Sequence, residues 1–115
     1  MAVAQPSLHV ELAPADPAGV DGAADPPVRV IARGEIDAAT APQLAESMDE
    51  AFARGTGAVA LDFADITFVD SSGLRVIVAL HRRAVDAGRS VVVVAASAAV
   101  RRIFEITGLT ELLAD

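Results

Sequence analysis

The chain contains no cysteine and no lysine: all nine of its basic residues are arginine. Without Cys there are no disulfides, no thiolate metal ligands and no cysteine nucleophile, a composition compatible with the cytosol. Without Lys there is no P-loop lysine, no protein-kinase strand lysine and no Schiff-base lysine. Nucleotide chemistry that touches this chain must therefore be supplied by another protein. Long apolar runs are also missing. VVVVAASAAV at 91–100 is too short to span a bilayer, and MAVAQPSLHV carries no basic side chain before Arg29. The expectation is a soluble, cytoplasmic protein with no membrane partner.

What is present is acidic and apolar. Sixteen carboxylates against nine arginines give a formal charge of −7, which disfavours direct nucleic-acid binding and favours a basic protein surface as partner. A length of 115 residues with 53% hydrophobic content suits one core, hence one domain over 1–115.

Alternation of Leu8, Val10 and Leu12 with polar neighbours predicts a first strand over 7–13. Residues 14–27 hold four of the six prolines, two glycines and three aspartates, the composition of a flexible inter-strand loop. VRVIARGEI at 28–36 resumes the β pattern, with Val28, Val30 and Ala32 on one side and Gly34 marking a bend or a close backbone approach. A helix follows, announced by Thr40 as cap, Pro42 in the first turn and Gln43 in a capping box, with Leu44, Met48, Ala51 and Phe52 inward and Gly55 as its stop. A strand at 57–65 places Val59, Leu61 and Phe63 on one face. SVVVVAA at 90–96 reads as a strand buried on both sides. Ser97 caps a third helix with Val100, Ile103 and Phe104 inward and Gly108 at its end, and LTELLAD is left for a short edge strand. The order β-β-α-β-α-β-α defines an α/β fold with a small mixed sheet of four to five strands, in which the strands flanking the second helix run parallel.

Between the third strand and the second helix lies FVDSSGL, residues 68–74. Leu74, Ile77, Val78, His81 and Val85 form the expected inner stripe of that helix, Val76, Leu80 and Ala84 extend its apolar surface, and Arg75, Ala79, Arg82 and Asp86 recur on the other side, either as a docking face or as a solvated one. Asp70, Ser71, Ser72 and His81 suggest a hydrolase, but nine helical residues put Ser72 and His81 about 14 Å apart along the axis and on opposite sides. A nucleophile and its base need about 3 Å. His9 has nothing that marks it as a base. Asp37, Asp62, Asp65 and Asp70 converge at one sheet end in this reading, but with no spacing that specifies an ion, so no metal or other cofactor is assigned. Ser71 or Ser72 can cap the helix, and capping alone explains the pair.

FVDSSGL, together with GEID at 34–37 and FEITGL at 104–109, resembles the three spaced signatures of the STAS domain in bacterial anti-sigma-factor antagonists, over residues 7–113. The resemblance implies a non-enzymatic partner-switching protein. Unmodified, such a protein binds an anti-sigma factor that is also a serine kinase; phosphorylation by that kinase ends the binding, and a metal-dependent phosphatase reverses it. Carried onto this sequence, the phosphoacceptor falls on Ser71. Asp37 and Asp70 match the acidic positions beside it, and Ser72 and Gly73 complete the turn. Thr40, Leu74 and Arg75 belong to the expected partner-binding environment. Two departures stand out: the loop at 14–27 is longer than usual for the family, and no closing helix follows before Asp115, which would leave an apolar edge uncovered. The alternative is a STAS-type scaffold or subunit in a signalling or transport-associated complex, with no switch at Ser71.

A phosphate on Ser71 adds about −1.5 to −2 charges, which a helix N-terminus favours by roughly 0.3–1 kcal/mol. A carboxylate about 6 Å from a unit negative charge opposes it by roughly 0.7 kcal/mol in water and ~3 kcal/mol at an effective dielectric of 20. The fold should tolerate the modification, and a dry acidic interface should not.

Overall fold

The computed structural model describes residues 7–14 and 27–113. Strands β1 (Leu8–Pro14) and β2 (Val28–Ile36) come first, then helix α1 (Ala41–Ala53), β3 (Val59–Val69), α2 (Ser71–Asp86), β4 (Val91–Ala96), α3 (Ala98–Thr107) and a 3₁₀ turn at Thr110–Leu112. The predicted order and fold class hold. The expected loop at 14–27 lies outside the described residues except for its ends, Pro14 and Pro27.

The four strands lie in chain order; β1 is antiparallel to β2, and β2, β3 and β4 are parallel. The parallel pairs are joined through α1 and α2, as a crossover requires. The helices pack on one face. There Val30, Ala32 and Ile36 of β2 and Leu61, Phe63 and Ile66 of β3 meet Leu44 and Met48 of α1, Ile77 and Leu80 of α2 and Phe104 of α3, all buried. Charge marks the other face, where Arg29 pairs with Asp62 and Arg33 bridges Glu11 and Asp65.

Gly34 fulfils its expected role. Its φ is +112°, and a Cβ there would stand 2.2 Å from the Ser7 carbonyl oxygen, so only glycine fits. Ser97 and Gly108 also bound α3 as predicted, the first accepting the Val100 amide and the second turning left-handed at φ 75°.

Other boundaries differ from the sequence reading. Gly55 does not adopt a positive φ, and α1 is closed by Arg54 in right-handed conformation. Thr40 sits at the N-cap position of α1, yet its hydroxyl donates to the Glu35 carbonyl at 2.8 Å and accepts the Asp37 amide at 2.9 Å. Gln43 makes no capping box; its Nε2 donates to the Leu8 carbonyl at 2.7 Å and ties α1 to β1. Strand β4 lies at the end of the strand order, so Val91 and Val93 are buried while Val92 and Val94 are half-buried. The tail forms the 3₁₀ turn plus one parallel bridge, Leu113 to Val93, in place of a strand.

Phe52 of α1 is half-buried between two guanidinium groups, with Arg89 4.0 Å and Arg83 4.6 Å from its ring centre. Arg89 also donates to the Gly57 and Phe52 carbonyls at 2.7 and 2.8 Å, and Arg83 pairs with Asp49 across the α1/α2 seam. The cluster fixes the end of the sheet opposite FVDSSGL.

Candidate functional site

Parallel strands β2 and β3 end side by side: Ile36 faces Val69, and the Asp70 amide donates to the Ile36 carbonyl at 3.1 Å. Asp37 and Asp70 therefore leave neighbouring strand ends, at the carboxyl edge of the sheet where open α/β folds place their sites. Each carboxylate organises the chain after it. Asp37 Oδ1 accepts the amides of Ala39 and Thr40 at 2.9 and 3.0 Å. Asp70 Oδ1 accepts those of Ser72 and Gly73 at 2.9 and 3.4 Å, and its backbone carbonyl takes the Leu74 amide at 3.1 Å.

This corrects the assignment of the cap to a serine. Asp70 is the N-cap of α2, in extended conformation, and Ser71 is the first helical residue. An aspartate caps as well as a serine, and here it reaches two free amides of the first turn at once. The Ser71 side chain is consequently exposed, and its hydroxyl bonds to no described residue. Ser72 is half-buried.

Gly73 is buried for a reason unrelated to φ. A Cβ there would lie 2.5 Å from Ile36 Cγ2 and 2.9 Å from Val69 Cγ2. The helix thus approaches the ends of β2 and β3 closely at this glycine, which seats the first turn of α2 directly on those strands.

The inner stripe of α2 is Gly73, Leu74, Ile77, Leu80 and Ala84. Val85, expected inside, is 59% exposed, while Val78 and His81 are half-buried. The predicted outer set of Arg75, Ala79, Arg82 and Asp86 is exposed. Ser71, Leu74, Arg75, Val78, Ala79 and Arg82 line one open groove along the helix, so the hydroxyl shares a surface with two guanidinium groups. Thr40 is buried at 6% exposure in the turn between β2 and α1, bonded to Glu35 and Asp37. The sequence reading passed over Phe68, 47% exposed at the end of β3, and Ile106, 73% exposed on α3. They line an apolar groove with Val69 and Ile103 on the other side of Asp70. Strict alternation would have put Phe68 on the face of buried Ile66; the irregular pairing of β2 with β3 spaces the inward residues Phe63, Ile66 and Val69 three apart and leaves Phe68 outside.

The four aspartates do not converge. Asp62 and Asp65 lie within β3 and are engaged by Arg29 and Arg33, away from Asp37 and Asp70. Among the described residues no group of three His, Cys, Asp or Glu could hold a metal ion. His81 Nδ1 is buried, part-way down α2, with no hydrogen-bond partner among the described residues, and forms no dyad with the serines. No helix among the described residues is long and apolar enough to cross a membrane.

A mixed four-stranded sheet with β-β-α-β-α-β-α order and an Asp-Ser-Ser-Gly-Leu turn at its carboxyl edge defines a STAS domain. The family profile described as "Mlab, STAS domain" matches residues 21–114, and the chain belongs to the STAS-domain family. Its similarity extends to the anti-sigma-factor antagonists. An anti-sigma-B factor antagonist of Listeria monocytogenes is 29% identical over 86 residues, 75% of each chain. One from Staphylococcus epidermidis is 30% identical over 80 residues, 70% of this chain and 74% of that one. The crystal structure of an anti-sigma factor antagonist from Mycobacterium paratuberculosis superposes with a TM-score of 0.74 at 27% identity, covering 93% of this chain and 83% of the other. Within the STAS domains, this chain groups with the anti-sigma factor antagonists.

Proposed function

We propose that the protein is a cytoplasmic antagonist that binds an anti-sigma factor with serine kinase activity and is released from it by phosphorylation at Ser71. The observation that carries this reading is the division of labour in the first turn of α2. Asp70 takes the cap, so the Ser71 hydroxyl is exposed and bonds to none of the described residues. Asp37, Asp70, Ser72, Gly73, Leu74 and Arg75 form its setting, and Thr40 holds the turn that carries Asp37.

The charge balance suits a reversible block. Arg75 is four residues after Ser71 on the same exposed groove, within reach of a phosphate by helical spacing. A phosphoserine there draws on Arg75 and adds negative charge beside Asp70, so the partner loses a cation and meets an anion, with little refolding of the domain. A metal-dependent phosphatase resets the state.

The test is incubation with the cognate kinase and ATP, read by intact mass and peptide mapping. A single phosphate, lost in Ser71→Ala and kept in Ser72→Ala, supports the switch. The second reading, a STAS scaffold in a signalling or transport-associated complex, is favoured by the profile match, whose description names Mlab and no sigma-factor regulator. It predicts a stable complex with no modification at Ser71.

A further inference from the structure

Among the described residues, strand β1 is an edge of the sheet with little to protect it. It has no lysine, its pairing with β2 runs without a bulge, and its one proline, Pro14, is the last residue. Those are the devices by which natural sheets blunt their edges. The Glu35 amide donates to the Ser7 carbonyl, so in the alternating antiparallel ladder Ser7, His9 and Glu11 bond toward β2. Leu8, Val10 and Leu12 consequently aim their amides and carbonyls outward. Gln43 from α1 occupies one of these groups, the Leu8 carbonyl, at 2.7 Å.

The residues on this edge read Leu8-His9-Val10-Glu11-Leu12, which is complementary to its own reversal. Paired antiparallel with itself about Val10, the strand sets Leu8 against Leu12, Val10 against Val10 and His9 against Glu11, on both sides of the two-fold axis. The half-buried Val10 side chains then cover one another on the helical face, with each Leu12 against the opposite Leu8, while the exposed His9 and Glu11 meet on the open face. A register centred on Glu11 would instead oppose two carboxylates.

We propose that β1 is a self-pairing edge through which two copies of this chain join in a two-fold dimer with one continuous sheet. The Val10 amides and carbonyls bond reciprocally, and each Leu8 amide bonds the opposite Leu12 carbonyl. This surface does not include Ser71, which lies at the start of α2, so dimerisation and the switch are separable.

Sedimentation velocity over a concentration series tests it, with circular dichroism as a control for folding. The unmodified chain should rise with concentration toward twice the monomer mass. Val10→Pro removes an outward amide that β2 does not use and should weaken the dimer at least tenfold while the chain stays folded. Glu11→Arg should weaken it similarly, and the exchanged pair His9→Glu with Glu11→His should restore it. A chain that stays monomeric to about 1 mM, or a dimer of undiminished strength in folded Val10→Pro and Glu11→Arg variants, would overturn the proposal.

Discussion

The Asp70 carboxylate accepts the Ser72 amide at 2.9 Å, and by taking over the cap it leaves the adjacent Ser71 hydroxyl without a structural duty. A residue that holds nothing together can be modified at small cost to the fold.

The first prediction concerns that cap. Asp70→Ala removes the acceptor of both the Ser72 and the Gly73 amides and should cost about 0.5–2 kcal/mol in urea unfolding. Asp70→Asn preserves the acceptor and should cost less. Ser71→Ala should change stability by no more than about 0.5 kcal/mol, as for a surface position. A Ser71→Ala loss equal to that of Asp70→Ala would return the cap to the serine.

Gly73 and Ile36 should behave as a coupled pair. Gly73→Ala forces a methyl to within 2.5 Å of Ile36 Cγ2 and should destabilise by about 1–3 kcal/mol. Ile36→Ala alone leaves a cavity worth about 2–5 kcal/mol. The double variant should be more stable than the sum predicts, by about 0.5–3 kcal/mol in a double-mutant cycle. Strict additivity would mean that the contact does not set the position of the helix.

At the far end of the sheet, Arg89→Ala should cost more than Arg83→Ala. Arg89 is half-buried, stacks on Phe52 and donates to two carbonyls; the hydrogen bonds of a charged group contribute about 1.5–3 kcal/mol. Arg83 offers an exposed ion pair to Asp49, worth about 1 kcal/mol or less, beside its contact with the ring. Thermal unfolding of the two variants decides the order, and Arg89→Lys should rescue little because a point charge lacks the planar fork.

The sequence conveyed element order well, because local signals agreed with tertiary need. Ser97 and Gly108 bound α3 by chemistry that acts within a few residues, and Gly34 turns where its neighbours demand it. The failures share a cause. Thr40 and the two serines looked like caps because hydroxyls cap, but the carboxylates of Asp37 and Asp70 reach more amides, and only the strand ends behind them fix those carboxylates in place. The expected inner face of α2 was too wide because apolar identity pointed to Val85, which the structure leaves 59% exposed, while Leu74, Ile77, Leu80 and Ala84 are buried. Gly73, with no side chain to count, is what the sheet admits against Ile36. Strand β4 looked fully buried because its sequence does not say that it closes the sheet. At the site, the run of residues was legible and the roles within it were not: Asp70 as cap and Ser71 as the free hydroxyl emerge from hydrogen bonds that span the turn.

The most direct test of the central claim is the affinity of the cognate anti-sigma factor for two forms of this chain, unmodified and stoichiometrically phosphorylated on Ser71, measured by titration calorimetry in one buffer. A repulsion of about 1.4–3 kcal/mol at the interface predicts a dissociation constant raised roughly 10- to 150-fold in the phosphorylated form. The Ser71→Ala chain, treated with kinase and ATP, should keep the unmodified value. Equal affinity of the phosphorylated and unmodified chains would contradict the account.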